Sequence, residues 1–289
     1  MFLRTSLVRT RQALQARRAT PALAVLTVLG LVAGAAAPAR ALSSRPVRHE
    51  RVPSIVVRTE RNAGTVASTK FSEQLDVVEV RGLRNAATQA RVNGALAGYT
   101  SSARTTFESG LTTWNGSPND PPLQLTISAI STYTSKTLTS VVFQSTVEGS
   151  VLAHPFSHFD ALTFDFQGRS LSLSQLVQPG AVDRLARAAS PFVTWTLNAR
   201  GNPGCNGDPA TITRALVPAP GADQPAAHVG FTRSGLLVAF DDYSFAYYAC
   251  GYVTVTIPYT ALGNVIRPDL LASVRHGDRD RPDRLVADR

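Results

Sequence analysis

The spacing of hydrophobic and polar residues predicts a strand followed by a long helix in the first half of the chain. Residues 71–80 have strand character, and Gly82 ends that strand. Residues 84–109 then carry an apolar side chain at every third or fourth position, the spacing that places side chains on one face of a helix. These positions are Val92, Leu96, Tyr99, Ala103 and Phe107.

Alternating patterns predict several strands after this helix. Apolar and polar residues alternate over 123–129, the period of two of a half-buried strand. Residues 137–149 give a second strand and 158–170 a third, whose Leu162, Phe164 and Phe166 share one side. The segment GLLVAFDDYSFAYYACGYVTVTIPYTAL, residues 235–262, predicts two more.

Shorter helices are predicted in the second half. Residues 181–189 have helical spacing, and Ser190-Pro191 is typical of the start of a new helix. Thr260 is expected to cap a short helix through Ile266 that Pro268 stops.

Because strands and helices are segregated, the predicted class is α+β: a mostly antiparallel sheet with a long N-terminal helix and shorter C-terminal helices packed on it. We expect two interlocked subdomains, 70–150 and 151–274. Residues 42–69 are interpreted as a basic linker containing Pro and Ser, in which Ile55-Val56-Val57 docks as an edge strand. Residues 275–289 alternate Arg and Asp, and their composition predicts a disordered tail.

Residues 1–41 are predicted to be a signal peptide. Arginines precede an uncharged run at 22–37, and Ala39-Arg40-Ala41 has the small residues that signal peptidase requires. That run is about sixteen residues long, shorter than the roughly twenty of a spanning helix. We therefore expect a secreted, extracellular protein that begins at Leu42 without stable membrane insertion, with cell-wall association left open.

Export changes the meaning of the net charge, which is +9 for the whole chain. Residues 1–41 hold six arginines and no acid, so their removal leaves +3, all of it within 42–62. The folded part is formally neutral and lacks the clustered basic face of a nucleic-acid-binding protein. With 27 arginines and two lysines, the chain is typical of a high-GC, actinobacterial genome.

The chain has two cysteines, Cys205 and Cys250. In an exported protein they predict one disulfide bond.

Two histidines and several acids are candidates for a chemical site. His154, His158 and Asp160 form H-x3-H-x-D, but Pro155 argues against the helix that would aim both imidazoles at one metal ion. We expect no metal and no cofactor. No G-x-S-x-G elbow supports a serine hydrolase. The adjacent Asp241 and Asp242 would point to opposite faces of a continuing strand, so they are interpreted as turn residues.

The aromatic residues near the C-terminus are interpreted first as buried core, with an exposed binding surface as the alternative. Tyrosine often buries its ring while its hydroxyl reaches water, so both readings remain open. The surface comprises Tyr243, Tyr247, Tyr248 and Tyr252, together with His154 and His158.

Three segments carry a resemblance to a known family: DVVEVRGLRNAATQARVNGAL, LAHPFSHFDALTFDFQGRSLSLSQLV and FTRSGLLVAFDDYSFAYYACGYVTVTIPYTAL. Over residues 70–268 the chain resembles the extracellular domain of RsiV-type anti-sigma factors. That domain also occurs in secreted mycobacterial immunogenic antigens and beside peptidoglycan deacetylase domains. Ser150-Val151-Leu152 and Tyr247 stand where members often have Gly and Pro. The basic stretch before the apolar run is too short for a sigma-binding module.

The resemblance implies a function in binding, because lysozyme recognition is the known example in the family. We expect a secreted, monomeric, non-enzymatic binding protein whose partner is a lysozyme-type protein or a cell-wall component such as peptidoglycan. One alternative is a cell-wall-active hydrolase that uses His154 or His158. Another is an exported immunogenic protein without a specific ligand.

Overall fold

The computed structural model describes residues 53–114, 119–149, 152–201, 205, 207–222, 224–245 and 250–279, the last five of these for their backbone only. The predicted signal peptide lies outside them. Among the described helices, none is long and apolar enough to cross a membrane. The class is α+β, as predicted, with one five-stranded and one three-stranded sheet.

The five-stranded sheet contains the strands of the first half of the chain in sequence order. Its neighbours are antiparallel except β2 and β3, which are parallel because the long helix α1 connects them. The elements are β1 (Ser54–Val66), β2 (Thr69–Arg81), α1 (Ala86–Leu111), β3 (Leu123–Thr134), β4 (Leu138–Glu148) and β5 (Phe156–Asp165).

Helix α1 covers one face of this sheet. Val92, Leu96 and Phe107, from the predicted apolar face, are buried against strand residues such as Ile127 and Phe143. Two hydrogen bonds of Asn93, in the N-terminal half of the helix, attach it to β2. The Asn93 side chain accepts from the backbone N–H of Val80 and donates to its carbonyl, at 2.8 and 3.0 Å.

The three-stranded antiparallel sheet lies against the opposite face of the first sheet. Buried Leu237 and Ala239 of its central strand contact Val142 of β4 and Phe159 of β5. The two backbones approach closely at Gly230, where a Cβ atom would lie 2.3 Å from the Val142 side chain. The sheet consists of β6 (Ala227–Phe231), β7 (Gly235–Phe240) and β8 (Val253–Pro258), in that order.

Helices cover the outer face of the second sheet, so the molecule has four layers, helix, sheet, sheet and helix. Leu185 and Val193 of α3 pack in one core cluster with Val238 and Ile257 of the sheet. The described helices after β5 are α2 (Leu173–Leu176), α3 (Val182–Ala199), α4 (Pro209–Leu216) and α5 (Pro268–Arg279).

The structure contains the predicted disulfide. Cys205 before α4 and Cys250 before β8 are both buried, with Cα atoms 5.6 Å apart. The bond therefore ties the helical layer to the second sheet.

Several predicted boundaries were wrong. Ile55-Val56-Val57 do belong to an edge strand, as predicted, but that strand extends over all of 54–66, which pair with β2 and are not a linker. The subdomain boundary at 150/151 separates β4 from β5, although these strands pair in one sheet. Phe166, expected beside Phe164, is 62% exposed because the chain turns after Asp165.

Two prolines misled the helix prediction. Helix α3 runs through Pro191 without a new start, since the buried stripe of Leu185, Ala189, Val193 and Leu197 is continuous on both sides of it. Pro268 begins α5 instead of ending a helix, and residues 260–266 form turns. Because α5 continues through Arg279, the predicted disordered tail is wrong for 275–279, and 280–289 lie outside the described residues.

Reduction of the disulfide is expected to destabilise the fold. The bond joins residues 45 positions apart, and in the chain-entropy model such a loop contributes about 4 kcal/mol. Urea unfolding with and without reductant measures the difference. The double variant Cys205→Ala, Cys250→Ala should be unstable and insensitive to reductant. An unchanged midpoint for the reduced wild-type protein contradicts this prediction.

Candidate functional site

Two adjacent carboxylates close the free edge of the five-stranded sheet. Strand β5 is the last strand of that sheet, so one side of its backbone has no strand partner. Asp242 accepts a hydrogen bond from the backbone N–H of Ser157 at 2.6 Å, and Asp241 accepts one from Phe159 at 2.7 Å. The N–H of Asp242 donates in turn to the Ser157 carbonyl at 3.3 Å. Strand β7 ends at Phe240, so the two acids lie in a turn, as predicted, and not on opposite faces of a continuing strand.

His158 lies between two of the acids. Its Nδ1 is 2.7 Å from Oδ2 of Asp241, and its Nε2 is 3.5 Å from Oδ2 of Asp160. Asp160 is in β5 two residues from His158, so both side chains start from the same face of the strand. Asp241 comes from the end of β7, and the contact therefore joins the two sheets.

This environment shifts the pKa values of His158, Asp241 and Asp242. Burial disfavours the imidazolium form of His158, but its contacts with Asp160 and Asp241 outweigh burial and raise its pKa to about 10. Burial also opposes the ionisation of Asp241, yet the hydrogen bond with His158 holds its pKa below the usual value. Burial raises the pKa of Asp242, and the charge of Asp241 adds to that effect.

A second histidine, His228 of β6, completes the buried cluster. Its side chain is 6% exposed, and its ring lies edge-on to that of His158 with centroids 5.2 Å apart. Its Nε2 is 3.7 Å from Oδ2 of Asp241, too long for a hydrogen bond, and has no hydrogen-bond partner. One ligand atom from each of His158, His228 and Asp241 lies within 4.8 Å of the others.

The H-x3-H-x-D residues His154, His158 and Asp160 do not come together around one point in this way. His154 lies before β5, where its Nδ1 contacts the Pro155 carbonyl at 3.0 Å and its Nε2 contacts the Tyr243 hydroxyl at 2.7 Å. Tyr243 has a φ of 69°, which costs backbone energy for a residue with a Cβ atom. The hydrogen bond to His154 helps to hold this conformation. Tyr243 remains 39% exposed.

Tyr252 is fixed at the same end of the second sheet. Its ring meets Phe159 edge-on at 5.6 Å between centroids, and the Arg200 guanidinium lies 5.6 Å from the ring centroid. Arg200 also donates to the Tyr252 carbonyl at 2.5 Å. Tyr252 is 36% exposed. Phe159 and Arg200 therefore hold its ring in place while part of the residue is open to solvent.

A groove of about 500 Å³ lies between α3 and the edge strand β8. Trp195 stands at this groove with 74% of its surface exposed, the most exposed large hydrophobic side chain among the described residues. The groove is lined by Pro191, Phe192, Trp195, Thr196 and residues 254–256. We call these residues together with Tyr252 the α3–β8 surface.

The preferred prediction of a buried role is wrong for two of the tyrosines. Tyr243 and Tyr252 are exposed at one end of the second sheet, whereas His158 is mostly buried in the cluster beside them. Tyr247 and Tyr248 lie outside the described residues. His228 and Trp195 were missed as members of a site. Trp195 could have been found because it lies opposite the apolar stripe of its helix, and His228 because it interrupts the apolar run of residues 226–231.

The fold is similar to that of two solved DUF3298 family proteins. A protein from Pseudomonas aeruginosa PAO1 matches with a TM-score of 0.50 and 15% identity, over 76% of this chain and 97% of that one. A protein from Bacteroides fragilis NCTC 9343 matches with a TM-score of 0.55 and 11% identity, over 78% and 98%.

No family model and no curated protein matches the chain. At these identities the likeness shows the fold. DUF3298 proteins are related to RsiV-like domains, and the specific resemblance of this chain to those domains stays a prediction.

The raised pKa of His158 predicts a loss of stability at alkaline pH. Its pKa is about 10 in the folded protein and about 6.5 in an unfolded chain, so its contribution is complete below pH 6.5. The contribution declines as pH rises towards 10, by up to about 1.4 kcal/mol per pH unit. Urea unfolding of wild type and His158→Gln between pH 6 and 10 measures it. The variant should have the shallower pH dependence, and His154→Gln should follow wild type; equal slopes for His158→Gln and wild type would falsify the assignment.

Removal of the Asp241 carboxylate should be strongly destabilising. Asp241→Ala leaves the His158 imidazolium and the Phe159 N–H without this acceptor, and breaking a buried pair typically costs about 3–5 kcal/mol. The matched control is Asp269→Ala, which breaks the exposed pair with Arg267 and should cost no more than about 1 kcal/mol. Chemical denaturation compares the two, and similar losses contradict the proposed importance of the buried pair.

Proposed function

We propose that this protein is an exported, monomeric, non-enzymatic binding domain that contacts a partner protein through the α3–β8 surface. The observation that carries the proposal is the 74% exposure of Trp195 at the groove between α3 and β8. Aromatic residues and arginine dominate the binding energy of protein interfaces. Tyr252 directly precedes β8, and Arg200 at the end of α3 contacts its ring.

The rigidity of this surface supports a role in recognition. Tyr252 is held by Phe159 and Arg200, and nearby Tyr243 is held by His154. Side chains that are already ordered lose little entropy when a partner binds. The groove beside them contains threonines and apolar groups together, which suits an interface with a hydrophobic centre and polar margins.

The histidine geometry supports binding over hydrolysis. A general base needs a ring nitrogen within reach of the proton that it removes. Both nitrogens of His158 face carboxylates, and both nitrogens of His154 contact oxygen atoms of this chain. Neither arrangement resembles a serine paired with a histidine base.

A lysozyme-type protein is the first candidate partner. The fold is that of DUF3298 proteins, and the resemblance to RsiV-like domains adds the expectation of lysozyme recognition. The disulfide is of the kind that persists outside the cytoplasm and agrees with the export predicted from residues 1–41. A cell-wall glycan is the other partner to be tested.

Biosensor titration of immobilised exported protein with a lysozyme tests the proposal. Trp195→Ala and Tyr252→Ala should each weaken binding by a factor of about 30, the effect of losing a residue worth about 2 kcal/mol. The matched control is Phe166→Ala, since Phe166 is also exposed but lies in the turn after β5, close to α1.

Three results contradict the proposal. One is wild-type affinity in both groove variants, and the second is equal weakening by Phe166→Ala. The third is turnover of cell-wall glycans or esters that disappears in His154→Gln or His158→Gln, because this establishes the hydrolase. If the protein is retained on peptidoglycan but does not bind lysozyme, and Trp195→Ala abolishes that retention, the partner is a glycan and not a protein.

A further inference from the structure

We propose that His158, His228 and Asp241 form a binding site for one zinc ion between the two sheets. The proposal concerns the interior of the molecule and is independent of the α3–β8 surface. It starts from His228, whose buried Nε2 has no hydrogen-bond partner and is directed at Oδ2 of Asp241. A buried polar atom without a partner costs stability, and a metal ion would provide that partner.

The spacing of the ligand atoms fits one ion. Ligand atoms around tetrahedral zinc lie ~3.3 Å apart, given metal–ligand distances of about 2.0–2.1 Å. Oδ2 of Asp241 is 2.7 Å from Nδ1 of His158 and 3.7 Å from Nε2 of His228, and all three atoms lie within 4.8 Å. Small side-chain rotations would equalise these distances. Two imidazoles and one carboxylate are typical zinc ligands.

The surrounding contacts orient the ligands. Asp160 lies 3.5 Å from Nε2 of His158, so it can accept the proton of that nitrogen and leave Nδ1 directed at Asp241. The second oxygen of Asp241 accepts the Phe159 N–H at 2.7 Å, which fixes the carboxylate. Metal sites in proteins generally hold their ligands with such outer hydrogen bonds.

The charge of the cluster also suits a divalent cation. Zinc binding would displace the proton of the His158 imidazolium, and the carboxylates of Asp160 and Asp241 would then carry two negative charges in a largely buried environment. One zinc ion would balance them. Imidazole and carboxylate ligands together favour a borderline transition metal over calcium or magnesium, which prefer oxygen ligands alone.

The position of the site indicates a structural role. His158 belongs to β5 of the first sheet, whereas His228 and Asp241 belong to β6 and to the end of β7 in the second. An ion bound by all three would cross-link the sheets in addition to the hydrogen bonds at the β5 edge. Binding to the folded state alone would raise the melting temperature as zinc increases.

Calorimetric titration of the chelator-treated, exported protein with ZnCl₂ tests the proposal, together with the visible absorption spectrum after addition of CoCl₂. We expect one equivalent of zinc, cobalt absorption bands typical of a four-coordinate site, and a melting temperature that rises by about 5 °C at saturation. His228→Gln should abolish all three. Asp160→Asn should weaken zinc binding about 10- to 100-fold, the effect of removing an orienting partner.

His154→Gln is the matched control, because His154 lies near the cluster but contacts Tyr243 instead of the three ligands. This variant should bind zinc like wild type. Circular dichroism in the presence of chelator shows whether each variant is folded. If His228→Gln is unfolded, the proposal is tested by the cobalt spectrum and zinc stoichiometry of the wild-type protein and by the zinc affinity of Asp160→Asn. The proposal is overturned by the absence of binding at 100-fold excess zinc, by unchanged binding in folded His228→Gln, or by loss of binding in His154→Gln.

Discussion

The structure depends on how the free edge of β5 is satisfied. A strand at the end of a sheet carries backbone N–H and C=O groups without a strand partner, and exposed edges of this kind promote association with other chains. Here the carboxylates of Asp241 and Asp242 accept the N–H groups of Phe159 and Ser157. Because these acids end β7, the same contacts that close the first sheet also position the second sheet beside it.

The candidate site follows from this arrangement. Asp241 accepts hydrogen bonds from the Phe159 N–H at the edge of β5 and from the imidazole of His158. His158 therefore partly balances the negative charge of the Asp241 carboxylate. Asp242 is followed directly by Tyr243, and the ring of Tyr252 packs on Phe159 of β5. The exposed tyrosines are therefore attached to a buried, hydrogen-bonded support. A flexible loop would hold them less well for recognition.

Patterns that depend on local periodicity were predicted well from the sequence. The apolar face of α1 and the alternation in β3 and β8 follow from the geometry of a single helix or strand, and each is found where expected. Pro191 was misread because the packing of α3 on both sides outweighs the hydrogen bond lost at proline. Helix α4 was missed although Asp208 and Pro209 are a typical start, with Asp208 accepting from the Thr211 N–H.

The cluster itself was beyond local patterns. Asp241 and Asp242 look like turn residues in the sequence, and nothing in their neighbourhood shows that Ser157 and Phe159, more than eighty positions earlier, need acceptors. His228 comes from a third segment. Contacts of this kind depend on how the two sheets pack against each other. The periodicity of a single strand or helix does not reveal that packing.

The long separation between β5 and its acceptors has a consequence for how the molecule assembles. In a chain that is synthesised N-terminus first, all five strands of the first sheet are complete before residue 241 is added. Until then the free edge of β5, on the side away from β4, lacks the two carboxylates that accept its N–H groups in the folded protein. The edge can be closed only after the second sheet has reached its last turn before β8.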